Sequence, residues 1–186
     1  MVRAASLALT MVALLTTQVG CKRSKHPRVS SYAPPPVPAG FVERSGTGWR
    51  IATPAAWKEN MQRGPAAWAA ADPQAVDDFR AQASVFTEPF AGESFDYAQA
   101  NEVALRGEPR ATIEATREEV IDGDPTLLIE SRWAPTHPAS VQYRTMQSAL
   151  ASRGAGYVVT CSVAGVAFER YRSTCESIVR SFAVER

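Results

Sequence analysis

The sequence has little of the chemistry that most enzymes use. It contains only two histidines, His26 and His137, and three cysteines among 186 residues. No zinc-protease helix, phosphate-binding glycine pattern or closely spaced Cys–Cys redox motif occurs in it. A metal site would need more ligands at suitable spacing than these residues supply. The sequence therefore predicts no metal ion, no cofactor and no catalytic residue.

One histidine leaves an alternative open. A Ser–His–Asp arrangement depends on positions in space rather than on order along the chain, so a site near His137 is compatible with the sequence. This residue lies between Thr136 and Pro138 in a predicted surface loop. A hydrolase is therefore one alternative to a non-catalytic protein. A second is an exported carrier that holds a small ligand between helix and sheet. His26 falls in a Pro-rich segment and is given no ligand role.

Acidic residues outnumber basic ones in most of the chain. Residues 41–186 contain 15 Lys and Arg against 19 Asp and Glu, a charge of −4. Phosphate binding needs a concentrated basic surface, so this balance argues against nucleic acid as a partner. Residues 22–28 hold four basic side chains and no acid. This basic stretch is consistent with contact to anionic headgroups and equally with the start of a solvated linker.

The first 20 residues are typical of an export signal. Arg3 gives a positive start, residues 4–15 form an almost unbroken apolar run, and Gly20 is a small residue at its end. A transmembrane helix needs about 20 predominantly apolar residues. Residues 4–20 are too few and include Ser, Thr and Gln side chains. A cleaved signal is therefore more consistent with the sequence than a retained membrane helix.

The end of this segment resembles the lipobox of bacterial lipoproteins. Val19, Gly20 and Cys21 match the end of that motif, and Gln18 stands where the family normally has Leu. The resemblance implies that residues 1–20 are a signal peptide and that Cys21 becomes the lipid-carrying first residue. Lys22 is not the aspartate associated with inner-membrane retention in enteric bacteria, so outer-membrane anchoring is expected. Ordinary secretion after cleavage is the alternative.

Residues 21–40 are predicted to tether the lipid to the folded domain. They include three consecutive prolines at residues 34–36 and very few apolar side chains. Such a segment cannot bury enough surface to offset its conformational entropy. At about 3.1 Å per residue, the extended segment would hold the domain on the order of 50 Å from the membrane. The expected partners are the membrane, through the lipid anchor, and an envelope protein within reach of the domain.

The first half of the domain is predicted to contain three strands and a helix. Alternating side chains favour strands at residues 48–52, 66–71 and 80–87. Asp72 and Pro73 are expected to end the second strand. Residues 95–105 form a predicted helix with Val103 on its apolar side, and Gly107 is expected to end it.

Two predicted hairpins and a closing helix complete the domain. Residues 111–121 and 126–133 flank an Asp-Gly turn, which is a strong hairpin signal between apolar runs. Residues 141–151 and 156–162 form the second hairpin. Residues 166–182 are a predicted helix whose apolar residues recur at three- and four-residue steps. Hairpins with helices set apart predict an α+β fold with a central antiparallel β-sheet flanked by helices.

Both ends of the domain resemble the PsbP/DcrB-like family. Residues 48–54 read Gly-Trp-Arg-Ile-Ala-Thr-Pro and are followed by Trp57, as at the opening of that domain. A strand running into Cys161 and a helix ending Ser-Ile-Val-Arg-Ser-Phe at residues 177–182 match its close. The resemblance covers residues 41–186 and implies an α/β/α sandwich. Because this family shares a fold rather than a reaction, the resemblance carries no catalytic residues onto the chain.

Two cysteines remain once Cys21 is assigned to the lipid. Cys161 and Cys175 form the one remaining pair, and the oxidising conditions outside the cytoplasm favour a disulfide between them. Cys161 ends the last predicted strand, and Cys175 lies on the apolar side of the last predicted helix. A helix folded back over the sheet would bring them together. Two separate buried thiols are the alternative.

The paired acids are interpreted as solvated groups rather than as a site. They are Asp77-Asp78, Glu118-Glu119, and Asp122 with Asp124. Each pair falls at a predicted turn or on the exposed face of a predicted strand, and a calcium loop needs ligands spread over about 12 residues. The four tryptophans are interpreted as core or edge aromatics, with an exposed cluster among them as the alternative.

These observations together predict a cell-envelope lipoprotein of unknown specific role. Its single domain is expected to be a non-catalytic binding or scaffolding module. The mechanism would be localisation, because the lipid confines the domain to a membrane surface and the tether sets its reach.

Overall fold

The computed structural model describes residues 36–59, 66–135 and 141–185. The strands are β1 (Phe41–Gly46), β2 (Trp49–Pro54), β3 (Lys58–Glu59), β4 (Trp68–Val76), β5 (Phe79–Pro89), β6 (Ala111–Ile121), β7 (Asp124–Trp133), β8 (Tyr143–Ser152), β9 (Ala155–Ala164) and β10 (Ala183–Val184). The helices are α1 (Ser94–Gly107) and α2 (Phe168–Arg180), and a 3₁₀ turn at Gly165–Ala167 leads into α2. The predicted signal peptide and most of the predicted tether lie outside the described residues.

The strands of the described residues form two antiparallel sheets. Seven strands are arranged in the order β3-β4-β5-β9-β8-β7-β6, and a smaller sheet has the order β1-β2-β10. Every strand pairing within the described residues is antiparallel. The predicted α+β fold with a central antiparallel sheet is therefore confirmed.

In the described part of the chain, one helix packs on each face of the large sheet. Helix α1 packs on β6, β7 and β8, whereas α2 packs on β8, β9 and β2. Successive side chains of a strand point to opposite faces, and β7 shows this directly. Leu127 and Ile129 belong to the core under α1, and Leu128 belongs to the core under α2. The sheet therefore separates two apolar cores, with α2 and the small sheet covering the larger one.

Two-residue turns close the predicted hairpins. Asp122 and Gly123 have φ angles of 53° and 78°, and Arg153 and Gly154 have φ angles of 51° and 80°. Positive φ at both central residues is the requirement of a type I′ turn, whose twist suits a β-hairpin. The hairpin predictions are therefore confirmed, with each strand within three residues of its predicted limits.

Two predictions for the first half are wrong. Asp72 and Pro73 do not end a strand, because β4 continues to Val76 past a register shift between Ala71 and Ala75. Such a bulge accommodates a proline that cannot donate to the ladder. Val103 was expected on the apolar side of α1 but is 69 % exposed. The buried residues of this helix are Ser94, Tyr97, Ala98 and Leu105.

Candidate functional site

The residues predicted to carry function fall into two groups. Cys21, His26 and His137 lie outside the described residues. Cys161 on β9 and Cys175 on α2 are joined by a disulfide, with their Cα atoms 5.4 Å apart. Both cysteines are fully buried, so the bond connects the sheet to α2 without presenting sulfur to solvent. A reactive cysteine needs an accessible thiolate, and this pair therefore has the position of a structural staple.

The acids of the first hairpin turn correct an interpretation from sequence. Asp122 and Asp124 are only 8 % and 5 % exposed and are not solvated. The backbone N–H of Val184 donates to Asp122 Oδ2 at 3.1 Å, and the Ser94 hydroxyl lies 3.1 Å from Asp124 Oδ2. These bonds connect the turn to β10 and to the start of α1. The carboxylates are buried because they satisfy donors that are distant in the sequence.

A buried carboxylate that sequence reasoning missed lies between β7 and α2. The side chain of Glu130 is 8 % exposed, and its Oε1 accepts a hydrogen bond from Arg172 Nη1 at 2.7 Å. Guanidinium nitrogens of Arg144 and Arg117 lie 3.7 and 3.9 Å from the same carboxylate. The available signal was a single acid directly after the apolar run Leu-Leu-Ile of β7.

Further ion pairs extend this cluster along α2. Arg172 also bonds to Glu169 at 2.9 Å, which together with Glu130 raises the pKa of the Arg172 guanidinium. The same bond is the main cause that lowers the pKa of the Glu169 carboxyl. The Arg144 guanidinium also lies over the Phe168 ring, 3.8 Å from its centroid. Because each guanidinium has a carboxylate partner, the cluster holds α2 on the sheet and offers little charge to a ligand.

The half of the sheet beside α1 presents a polar surface. Ala81, Ala83 and Val85 of β5 belong to the core under α2, so the alternating residues of β5 point to the opposite face. Helix α1 packs over β6, β7 and β8 on that face, and the face continues from β8 onto β9 and β5. We call this surface the open face and define it by Gln82, Ser84, Phe86, Gln147, Thr160 and Ser162.

The polar residues of the open face are direct cross-strand neighbours. Gln82 pairs with Ser162 and Ser84 with Thr160 between β5 and β9. Thr160 in turn pairs with Gln147 between β9 and β8. The Cβ atoms of such partners are about 4.5–5.5 Å apart. The open face is therefore a continuous surface of hydroxyl and amide groups, with the half-buried Phe86 ring beside them.

A groove borders the open face at the β3 edge. It has a volume of about 390 Å³ and is lined by Lys58, Glu59, Ala71, Pro73 and Arg80. Ala71 pairs with Gln82 in the sheet, which makes the groove continuous with the open face. Glu59 is paired with Arg44 at 3.4 Å. Lys58 and Arg80 form no ion pair with any described residue, so the groove has two cations available.

An aromatic stack lies at one end of the large sheet. The Tyr143 ring is stacked between Phe79, at 5.5 Å and 12°, and Trp133, at 5.7 Å and 8°. Burial is the main cause that raises the pKa of the Tyr143 hydroxyl. Trp49 and Trp57 are buried in the core under α2, and Trp68 packs at its edge. The tryptophans are therefore core or edge residues, as the sequence predicts.

Within the described residues, no group of three His, Cys, Asp or Glu side chains is placed to hold a metal ion. No helix in the described part of the chain combines the length and the apolar character that crossing a bilayer requires.

Comparison with known proteins identifies the fold. No protein-family model matches the chain, and no curated protein does. Among solved structures, the cyanobacterial PsbP protein CyanoP from Synechocystis sp. PCC 6803 has a TM-score of 0.56 and 18 % identity, and the match covers 84 % of this chain and 99 % of CyanoP. LpqN of Mycobacterium tuberculosis, described as involved in cell envelope biogenesis, has a TM-score of 0.57 and 11 % identity over 78 % of this chain and 90 % of LpqN.

A third similar structure comes from yeast. The Ran-binding protein Mog1p of Saccharomyces cerevisiae has a TM-score of 0.50 and 10 % identity, and the match covers 77 % of this chain and 94 % of Mog1p. Identities this low show a shared fold and nothing more about function. The chain therefore has the PsbP-like fold that its sequence motifs predict.

Proposed function

We propose that this chain is an exported lipoprotein whose PsbP-like domain is a non-catalytic binding or scaffolding module of the cell envelope. Residues 1–20 are its signal peptide, Cys21 carries the lipid, and residues 21–40 are the tether. Lys22 after the lipidated cysteine favours the outer membrane over the inner one. The partners are the membrane and an envelope protein that the tethered domain reaches.

The disulfide between Cys161 and Cys175 is the observation that carries this proposal. Disulfides form and persist outside the reducing cytoplasm, and this one is fully buried within the domain. The N-terminal 20 residues independently have the pattern of an export signal. Two features from opposite ends of the chain therefore support the same compartment.

The structural neighbours support the same class of function. LpqN is described as involved in cell envelope biogenesis, and Mog1p as Ran-binding. In this chain the spaces between the sheet and both helices are filled by apolar side chains. The described groove is open and polar rather than an enclosed apolar cavity. These features favour binding at the surface over storage of a small ligand between helix and sheet.

Localisation gives such a module its effect. A tether that confines two binding partners near one surface raises their effective concentration, which strengthens weak contacts without any new interface. Stable anchoring by lipid requires more than one acyl chain or an added electrostatic contact. The four basic residues at 22–28 provide that contact.

The test compares the wild type with Cys21→Ser after expression in a bacterial host. The expected wild-type product begins at Cys21, is heavier by its acyl chains and fractionates with the membrane. The Cys21→Ser variant is expected to lack the acyl mass and to leave the membrane fraction. An unmodified wild type in the soluble fraction would contradict the lipid anchor. Thiol labelling of the same samples under denaturing conditions reports whether Cys161 and Cys175 are oxidised.

A further inference from the structure

Two polar side chains on the open face are almost fully buried and have no hydrogen-bond partner among the residues that the structure describes. Gln147 is 5 % exposed and Ser162 is 7 % exposed. Neither side chain forms a hydrogen bond within the described residues, and the polar atoms of both keep some access to solvent. Buried amides and hydroxyls are nearly always hydrogen-bonded in native proteins. Their polar atoms therefore face a space from which a bound molecule can reach them.

The neighbours of these two residues extend the same chemistry. Thr160 pairs with Gln147, Gln82 pairs with Ser162, and Ser84 pairs with Thr160. Hydroxyl and amide side chains each offer both a donor and an acceptor. A row of such groups beside the Phe86 ring matches a ligand that carries many hydroxyls on a partly apolar frame. Sugar rings have this character.

The adjoining groove adds a charge preference. Lys58 and Arg80 line it and form no ion pair within the described part of the chain, while Glu59 is already paired with Arg44. Asp72 on the neighbouring strand accepts a hydrogen bond from Tyr171 of α2 at 2.8 Å, so its carboxylate lies on the opposite face of the sheet. The groove is therefore locally positive in a domain whose overall charge is −4. An anionic group is the complementary occupant.

We propose that the open face and the groove together bind an acidic oligosaccharide, a chain of sugar rings that carry carboxylates. The sugar hydroxyls bond to Gln147, Ser162 and their neighbours, and a carboxylate pairs with Lys58 and Arg80. A simple anion would leave the buried amide and hydroxyl unpaired, and a neutral sugar would leave the two cations unpaired. This inference rests on the proposed function, because it names the ligand class of the binding module.

The test titrates the purified full chain with oligogalacturonate, which has one carboxylate per ring, and with a neutral malto-oligosaccharide of equal length. Nuclear magnetic resonance follows the side-chain amide of Gln147 and the backbone amides of Lys58 and Arg80. Saturable shifts of these signals with the acidic probe, and much weaker ones with the neutral probe, are expected. The absence of saturable shifts at Gln147 with oligogalacturonate would overturn the proposal.

Matched variants separate the two parts of the site. Lys58→Gln combined with Arg80→Gln is expected to weaken oligogalacturonate binding by roughly tenfold or more. Arg170→Gln, which removes an exposed cation from α2 on the other side of the sheet, is expected to leave the affinity unchanged. Equal affinity in the double variant would overturn the proposal.

A third variant distinguishes a sugar from a simple anion. Thr160→Val removes one hydroxyl of the open face while preserving side-chain size and β-propensity, and it is expected to weaken oligogalacturonate binding. Binding that Thr160→Val does not change, and that inorganic phosphate abolishes by competition, would show an anion site alone and overturn the proposal. Thermal unfolding of each variant verifies its fold. The intact mass of each sample reports lipidation separately, so failure of the anchor is distinguished from failure of the site.

Discussion

Arg172 of α2 donates to Glu130 of β7 across 2.7 Å, and this contact joins residues 42 positions apart in the chain. The Glu130 carboxylate is 8 % exposed, whereas the Arg172 side chain is 33 % exposed. The pair therefore lies at the boundary where the core under α2 meets solvent. Arg144 and Arg117 approach the same carboxylate. The negative charge of one buried acid is therefore shared by three guanidinium groups.

Replacing that acid is expected to destabilise the domain. Glu130→Gln keeps the side-chain shape but removes the charge, which leaves Arg172 and Arg144 partly desolvated without their shared partner. Breaking a buried pair from one side costs about 3–5 kcal/mol, and partial exposure of Arg172 reduces the expected loss to about 2 kcal/mol. Urea unfolding measures it. Glu169→Gln removes the exposed partner of the same arginine and should change stability far less. Equal losses in both variants would contradict a special role for Glu130.

Loss of the disulfide is expected to lower the free energy of unfolding, because the bond restricts the conformations of the unfolded chain. The bond closes a loop between residues 14 positions apart, and a loop of about 15 residues corresponds to about 3 kcal/mol in the chain-entropy model. The variant Cys161→Ala with Cys175→Ala should therefore unfold at lower urea concentration than the wild type. Reducing agent should lower the wild-type midpoint and leave that of the variant unchanged. A wild-type midpoint that is insensitive to reduction would contradict the prediction.

Alkaline pH is expected to destabilise the domain through Tyr97. Its hydroxyl donates a hydrogen bond to Glu88 at 2.8 Å. The pKa of Tyr97 is raised well above its ordinary value, mainly by burial and secondly by this hydrogen bond. The stabilising contribution is complete below the unfolded pKa of about 10 and is lost as pH rises towards the folded pKa. Between these values the free energy of unfolding should fall by about 1.4 kcal/mol per pH unit from this group.

The matched variants for this prediction are Tyr97→Phe and Glu88→Gln. Tyr97→Phe removes the titrating group, so its stability should decline less steeply above pH 10 than that of the wild type. Glu88→Gln keeps a hydrogen-bond acceptor without charge and should give an intermediate slope. Unfolding in urea at a series of pH values measures these slopes. A slope in Tyr97→Phe equal to the wild-type slope would assign the alkaline loss to other groups.

Two glycines with the same backbone conformation should tolerate alanine unequally. Gly48 and Gly154 both have φ near +80°, but a Cβ at Gly48 would collide with the Tyr157 hydroxyl, whereas a Cβ at Gly154 meets nothing within 4 Å. Gly154→Ala should cost about 1 kcal/mol for the left-handed conformation alone. Gly48→Ala should cost about 3 kcal/mol, because overpacking against the buried Tyr157 adds to that strain. Thermal unfolding of the two variants gives the comparison, and equal costs would contradict it.

Local signals predicted the hairpins, and long-range contacts account for what was missed. The Asp-Gly turn between β6 and β7 can be recognised from its two residues alone, since both adopt positive φ readily. Strand β10, by contrast, has two residues and exists because Val184 pairs with Trp49 of β2. No pattern within two residues indicates such a partner. The bulge in β4 was missed for a similar reason, because β5 sustains pairing with β4 on both sides of Pro73.

The candidate site was less accessible from sequence than the fold. Gln147 and Ser162 lie in strands that were predicted, but the absence of a hydrogen-bond partner for either side chain among the described residues depends on how α1 is placed across this face of the sheet. The position of a helix across a sheet face is set by packing between side chains, which leaves no periodic signal. The groove likewise depends on Lys58 and Arg80 lying on one face, although 22 positions separate them.

The small sheet has a mechanical consequence. Phe41 pairs with Pro54 at one end of β2, and Val184 pairs with Trp49 at the other. The chain therefore enters β1 at one end of this sheet and leaves β10 at the opposite end. Tension between the proposed anchor and the C-terminus would run along the strands, perpendicular to their hydrogen bonds. The bonds between β1 and β2 would share this load in shear instead of opening one at a time.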